Sequence, residues 1–196
     1  MVTIPRGKIL KLLDSRLNKD RLAHSLAVEK EAARLAAHHG EDWHKAALTG
    51  LLHDLCRCDH PSWQLEYMRE SSFALSKEWL ANPQLWHGSC AAVFIRRELG
   101  IRDREILKAV WFHTTGRPGM SNFEKIIFLA DKIEPTRNYD GAPDLRTAAY
   151  RSLDEALLLV LRQNLAHLCK NGLPLVKEAY QAYNELAATN MHGRIK

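Results

Sequence analysis

The sequence predicts an all-α fold, a helical bundle, on three observations. Apolar residues recur at helical spacing along almost the whole chain. The 10 glycines and 7 prolines fall mostly between those periodic segments, where they punctuate helices. Helix-capping residues stand just ahead of several segments. At 196 residues and 46% hydrophobic content the chain can bury one full core. A single domain over 1–196 is expected, with its core at about 6–186 and a short, frayed tail.

Ile4 to Leu17 reads as a first helix, with Ile9, Leu10, Leu12, Leu13 and Leu17 apolar and Pro5 suited to its first turn. Asn18 to Asp20 breaks it. A second helix runs from about Lys19 to His39, stopped by Gly40, with Leu22, Leu26, Ala33 and Ala36 on one stripe. Asp42 caps a third, expected to end near Cys56 with His53 and Asp54 in its last turns. Ala46, Ala47 and Gly50 on it permit close approach by a neighbouring helix.

Residues 58–85 are the least regular stretch. Short helices are expected at Trp63–Met68 and Leu75–Leu80, broken by Ser71-Ser72 and Asn82-Pro83, as in a lid or irregular wall. Leu85 to Leu99 forms the next helix, stopped by Gly100. Asp103 caps another that ends at Phe112-His113-Thr114-Thr115-Gly116. Ser121-Asn122-Phe123-Glu124 is a capping box opening an almost wholly apolar, hence central, helix that carries Asp131 and stops at Pro135. Asp144 is expected to cap one long helix to about Lys170, and a last helix spans Pro174 to about Ala188.

The net charge is +5, from 28 basic and 23 acidic residues, and the basic residues are scattered. No basic block is interleaved with aromatics, so nucleic acid is not an indicated partner. A mild positive field suits a small anionic substrate, although an ordinary solvated surface has the same composition. No stretch approaches the ~20 apolar residues of a membrane span. The start, Met1 to Arg6, has no apolar signal-peptide core, and the four cysteines form no CxxC pair. A cytoplasmic protein with reduced thiols is the expectation.

His24, the adjacent pair His53-Asp54, His87, His113 and Asp131 stand beside apolar residues near helix ends. An unpaired carboxylate there costs several kcal/mol or neutralises itself. Singly, each histidine reads as a satisfied core residue, and Asp131 as a partner of Lys132 or Lys125. Together they read as imidazole and carboxylate ligands, which suit iron, manganese or zinc. A metal with open coordination positions makes a hydroxide nucleophile by lowering the pKa of bound water to about 7. Cys56-x-Cys58-Asp59-His60 is a weaker metal-site alternative with tight spacing.

The order His…His-Asp…Asp over helices resembles the HD-domain metal-dependent phosphohydrolases. Arg21-Leu22-Ala23-His24-Ser25, Gly50-Leu51-Leu52-His53-Asp54, His87-Gly88, His113-Thr114-Thr115-Gly116, Met120-Ser121 and Leu129-Ala130-Asp131-Lys132-Ile133-Glu134-Pro135-Thr136-Arg137 resemble the YqeK family more specifically. Those proteins are symmetrical bis(5'-nucleosyl)-tetraphosphatases. The resemblance implies an HD-domain bundle with a central metal site, and cleavage of diadenosine tetraphosphate to two ADP by a metal-bound hydroxide. It implies that His24, His53, Asp54 and Asp131 hold a divalent transition metal, iron first, with Mn, Co or Zn as alternatives. His87 and His113 either ligate a second metal or contact substrate phosphates. With Arg57 they form the implied catalytic set, one histidine protonating or stabilising the leaving phosphate. Substrate contacts are implied for Arg21, His24, Arg57, His87, His113, Thr114, Gly116 and Arg137, with Arg137 the natural bidentate phosphate clamp. Many relatives have Lys where this chain has Arg57.

The partners so implied are the nucleotide substrate and an ADP- or GDP-like product. A homodimer is compatible with the sequence, which leaves the oligomeric state open. The competing readings are an HD phosphohydrolase acting on another nucleotide, a metal-containing nucleotide sensor, and a purely structural helical protein. A guanosine tetraphosphate hydrolase is expected to carry an acidic pair soon after His-Asp, where this chain has Leu55-Cys56-Arg57-Cys58, and the Gly-Tyr-Pro motif of cyclic-di-GMP phosphodiesterases is missing.

Overall fold

The computed structural model describes residues 4–69 and 76–194, with side chains described to Thr189. Every regular element among these residues is helical: α1 (Arg6–Arg16), α2 (Lys19–His38), α3 (Trp43–Leu52), α4 (Pro61–Arg69), α5 (Lys77–Leu80), α6 (Trp86–Arg97), α7 (Arg104–Phe112), α8 (Asn122–Ile133), α9 (Ala142–Arg151), α10 (Leu153–Lys170) and α11 (Lys177–Arg194). A 3₁₀ turn, Pro83–Leu85, leads into α6. Among the described residues no helix is long and apolar enough to cross a membrane.

The caps act where the side chains suggest. Asn18 Oδ1 accepts from the Arg21 N–H at 2.9 Å, and Asp42 Oδ1 from the Lys45 N–H at 2.9 Å. Asp103 accepts from both Glu105 and Ile106. Ser121 and Glu124 form the reciprocal capping box at the start of α8. That helix is the central one. Its Phe123, Ile126, Ile127, Phe128, Leu129 and Ala130 are buried, and α2, α3, α7, α9 and α10 all pack on it.

Two glycines set how closely the helices meet. A Cβ on Gly50 would lie 2.9 Å from the Val28 carbonyl oxygen and 3.1 Å from the Ala32 Cβ. The bare backbone there lets α3 sit against α2. A Cβ on Gly88 would lie 3.0 Å from the Val110 oxygen and 3.1 Å from His113 Cε1, so α6 approaches the end of α7 in the same way.

Three expected elements differ. The third helix stops at Leu52 rather than near Cys56. From there the chain descends through tight turns, with Leu55 N–H bonded to Leu52, Arg57 to Asp54 and Asp59 to Cys56. His53 Nδ1 takes the Gly50 carbonyl, which removes a reason for the helix to continue. The expected long helix from Asp144 to Lys170 is two helices, α9 and α10. Ser152 is extended (φ −156°, ψ 120°) and caps α10 by accepting from the Glu155 N–H. Gly141, at φ 88°, precedes α9, so Asp144 lies within its first turn. The last helix starts at Lys177 rather than Pro174 and runs to Arg194, into the stretch expected as a frayed tail. The expected break at Ser71-Ser72 and the start of the Leu75–Leu80 helix lie outside the described residues.

Gly50→Ala should lower stability by about 1–3 kcal/mol, because the clash with a backbone oxygen outweighs alanine's helix propensity. Denaturant unfolding measures it, and an unchanged midpoint would contradict the close α2–α3 contact.

Candidate metal centre

Five segments bring the predicted residues together. His24 comes from α2, His53 and Asp54 from the turn after α3, His87 from the first turn of α6, His113 from the end of α7 and Asp131 from the last turn of α8. All six are buried. The inner nitrogens and oxygens of His24, His53 and Asp131 lie within 4.8 Å of one another, as do those of His53, Asp54 and His113.

Hydrogen bonds made by the outer nitrogens fix what faces inward. His53 Nδ1 lies 2.7 Å from the Gly50 carbonyl oxygen and must donate to it. His24 Nδ1 lies 3.1 Å from Glu134 Oε1 and likewise donates. With those protons placed outside, the Nε2 atoms of neutral His24 and His53 carry lone pairs. Neither has a hydrogen-bond partner among the described residues. His24 Nε2 nevertheless sits 3.0 Å from Asp131 Oδ1 and 3.8 Å from Asp54 Oδ2. His53 Nε2 sits 3.5 Å from Asp54 Oδ2 and 3.8 Å from Asp131 Oδ1. Two lone pairs and two carboxylate oxygens thus point at one another with no proton between them. Ligands at about 2.0–2.2 Å from a common ion have similar mutual separations. The donor set fits a divalent cation.

Ionisation agrees. Burial lowers the His53 imidazole from 6.5 to about 4, against the pull of Asp54. Burial alone would raise the Asp54 carboxyl, but His53, His113 and His87 hold it well below its ordinary value. Burial is overcome at Asp131 too, by Lys132, His24 and His53. Two anions and neutral imidazoles are the protonation states metal ligation requires.

His87 and His113 occupy the other side of Asp54. Asp54 Oδ1 lies 3.2 Å from His87 Nε2 and 3.6 Å from His113 Nε2, and the two nitrogens are 3.1 Å apart. His113 Nδ1 donates to the Val110 carbonyl, so its Nε2 is an acceptor. His87 Nδ1 faces Arg57 Nη1 at 3.2 Å and must accept from it, so the His87 proton is on Nε2. Burial lowers the His87 imidazole as well, with Asp54 opposing.

The arginines are distributed unequally. Arg21 Nη1 donates to Asp54 Oδ2 at 2.9 Å, and its other nitrogens are unspent among the described residues. Arg57 reaches the Gln84 side chain and His87. Arg21, Arg57, Asn18 and Gln84 line one cavity of about 340 Å³. Arg137, expected as the outward phosphate clamp, turns Nε onto the Asp131 carbonyl and Nη2 onto Asp131 Oδ1, leaving Nη1. The Gly116 N–H, expected to face nucleotide, is bonded to the Phe112 carbonyl. Thr114 Oγ1 is buried without a partner among the described residues.

Two positions, Glu134 and Gln84, escaped the sequence reading, while Lys132 is one of the two partners it offered for Asp131. Glu134 is fully buried, accepts from His24 Nδ1 and from Thr136, and so orients His24. Gln84 ties Arg57 down. Lys132 binds the outer oxygen of Asp131 at 2.6 Å, while Lys125, the other expected partner, pairs with Asp154. Only the Glu134 signal was present in the sequence, as an acid three residues after Asp131. The alternative Cys-Asp-His cluster does not assemble. Cys56 is buried and Cys58 exposed, Asp59 pairs with Arg16, and His60 bonds Ser62.

The HD-domain family model matches residues 21–136, the span that contains all six clustered residues. A Halalkalibacterium halodurans protein named bis(5'-nucleosyl)-tetraphosphatase, symmetrical, is 37% identical, over 92% of this chain and 96% of that one. The chain belongs to the YqeK family of HD-domain proteins. A Bacillus subtilis member with the same name is 31% identical over 93% of this chain and 98% of its own. A crystal structure from Clostridium acetobutylicum, described as a predicted HD superfamily hydrolase involved in NAD metabolism, superposes with TM-score 0.92 at 35% identity. It covers 95% of this chain and 99% of that one. Within the matched span His53 and Asp54 are adjacent in sequence, and Asp54 touches both halves of the cluster.

Asp131→Asn should abolish bound metal in freshly purified protein and remove the rise in Tm on adding metal. Full metal content in that variant would contradict the four-donor site. The pH dependence has a definite sign. The unfolded chain protonates His53 near 6.5 and the folded chain only near 4, so acid favours unfolding in between. Metal-free protein should lose about 3 kcal/mol from this group as pH falls through that window. Denaturant melts at pH 7 and 4.5 test it, and His53→Gln should flatten the difference.

Proposed function

We propose that the chain hydrolyses dinucleoside tetraphosphates symmetrically, converting diadenosine tetraphosphate and water to two ADP. The observation that carries this reading is the convergence of His24, His53, Asp54 and Asp131 donor atoms beside an arginine-lined cavity. The names carried by relatives that align over nearly the whole chain supply the substrate. The four donors would hold a divalent metal, iron by family resemblance, with Mn, Co or Zn compatible with the same ligands. When bound, such a cation supplies a nucleophile from water near neutral pH and withdraws charge from phosphoryl oxygens.

The remaining residues do the positioning. Arg21 offers unspent N–H groups to phosphate, and Arg57 borders the same cavity. Electrostatic stabilisation of this kind dominates phosphoryl transfer. His87, neutral and held by Arg57, keeps its Nε2 proton turned into the cluster. It would donate that hydrogen bond to the leaving phosphate. His113 Nε2, an acceptor, would ligate a second metal or stay beside His87. Arg57 therefore acts both on phosphate and through His87, and an Arg fork serves both as a lysine point charge would not. The central anhydride P–O bond breaks, and the water oxygen ends on one ADP. We place the reaction in the cytoplasm, in keeping with four cysteines that are all unpaired.

Protein purified with its metal and given diadenosine tetraphosphate should yield ADP alone. ATP plus AMP would overturn symmetrical cleavage, and no turnover with Fe, Mn or Co would overturn the enzyme. Arg57→Ala should lower kcat/KM by about 10–100-fold, while Arg57→Lys should restore part of the phosphate contact and less of the His87 alignment.

A further inference from the structure

Arg57 stands in the turns between α3 and α4, outside any helix. The backbone there closes on itself through single bonds, from the Arg57 N–H to the Asp54 carbonyl at 2.8 Å and from the Asp59 N–H to the Cys56 carbonyl at 3.3 Å. Such a turn keeps a long side chain in one place only if neighbouring elements hold it. Gln64 of α4 is placed to do so. It is 6% exposed, and its Nε2 donates to the Cys56 and Asp59 carbonyls, both at 2.9 Å. Two acceptors fix the amide, because only its nitrogen can face them. Arg57 and Cys58 lie between those two carbonyls in the chain.

The same turn is gripped from α1. Arg16 Nη2 pairs with Asp59 Oδ2 at 2.5 Å. The Arg16 guanidinium carbon lies 4.3 Å from the Trp63 ring centroid and 4.5 Å from that of Phe94, so the planar group is held between two aromatic faces. Trp63 belongs to α4 and Phe94 to α6, and the Cys56 thiol lies beside that of Cys90, also on α6. Helix α6 carries His87, to which Arg57 donates. Both partners of the Arg57–His87 contact are thus fixed relative to one helix. We propose that Gln64 is a positioning residue for Arg57: by closing the Cys56–Asp59 turn, which Arg16 clamps from α1, it sets where the guanidinium meets His87 and the ionic cavity. This rests on the nucleotide function above and adds what holds its arginine in place. Gln64 borders the ionic cavity as well, so the experiment separates action through Arg57 from direct contact with substrate.

The test is a double-mutant cycle on the metal-loaded full chain with diadenosine tetraphosphate. Gln64→Met keeps the side chain's length and removes both N–H donors. It should lower kcat/KM about tenfold when Arg57 is present and by under about twofold in the Arg57→Ala background. Equal losses in the two backgrounds, as general destabilisation or a direct Gln64–substrate contact would give, overturn the assignment. A second measurement needs no turnover. In amide hydrogen exchange, Arg57 and Asp59 should exchange at least about tenfold faster in Gln64→Met, with the α8 amides at their wild-type rates. Unchanged rates at Arg57 and Asp59, or equal acceleration in α8, would also overturn it. Should Gln64→Met not fold, Asp59→Asn is the milder variant. It breaks the ion pair with Arg16 and should cause a smaller loss of kcat/KM that again vanishes in Arg57→Ala, and a loss that persists there counts against the proposal. Wild-type protein that fails to turn over diadenosine tetraphosphate would overturn the enzyme reading, and the exchange rates would then decide the role of Gln64.

Discussion

Asp54 and Asp131 are ionised carboxylates held at 3% and 5% exposure inside a helical core. Two anions at that depth each cost several kcal/mol unless positive charge and hydrogen bonds compensate them. The surroundings are arranged to do so. Arg21 and four histidines face Asp54, and Arg137, Lys132, His24 and His53 face Asp131. The compensation is drawn from α2, α3, α6, α7 and α8, so the ionic centre and the helix packing are one structure. A divalent cation held by the cluster would complete the balance that the arginines and lysine only approach from outside.

Direction matters as much as charge. His24, His53 and His113 each turn Nδ1 outward to an acceptor, respectively Glu134, Gly50 and Val110, and so present Nε2 inward. Two of those acceptors are helix-end carbonyls three residues back in the chain. The end of a helix leaves carbonyls unpaired, and a histidine placed at that end satisfies one while fixing its own tautomer. His87 follows the reverse rule. Arg57 can only donate, so His87 keeps its proton on the inner nitrogen. One carboxylate, two backbone carbonyls and one guanidinium therefore separate three acceptor imidazoles from a hydrogen-bond donor within a single cluster.

Close helix approach makes the geometry available. Gly50 and Gly88 remove side chains where α3 meets α2 and α6 meets the end of α7. Those contacts let the segments that carry the clustered histidines and aspartates approach closely. Two cavities, one ionic and one mostly apolar and walled by α10, share Gln84 in their lining.

Much of this protein was legible in its sequence. The caps Asn18, Asp42, Asp103 and Ser121 marked helix starts, because capping is local hydrogen-bond chemistry within three residues. The six buried His and Asp positions stood out because polar groups in apolar helices need partners. Their order along the chain supplied the family. The rest depended on distances between segments far apart in sequence. Ser152 could continue a helix or cap one, and only its extended backbone decided that. Arg137 read as a phosphate clamp, yet the nearest anion across the turn is Asp131, and its fork closed on that. Glu134, Gln84 and the cavity under α10 are products of packing. No periodicity announces them, since the partners that give them meaning are brought close only when α2, α6, α8 and α10 assemble.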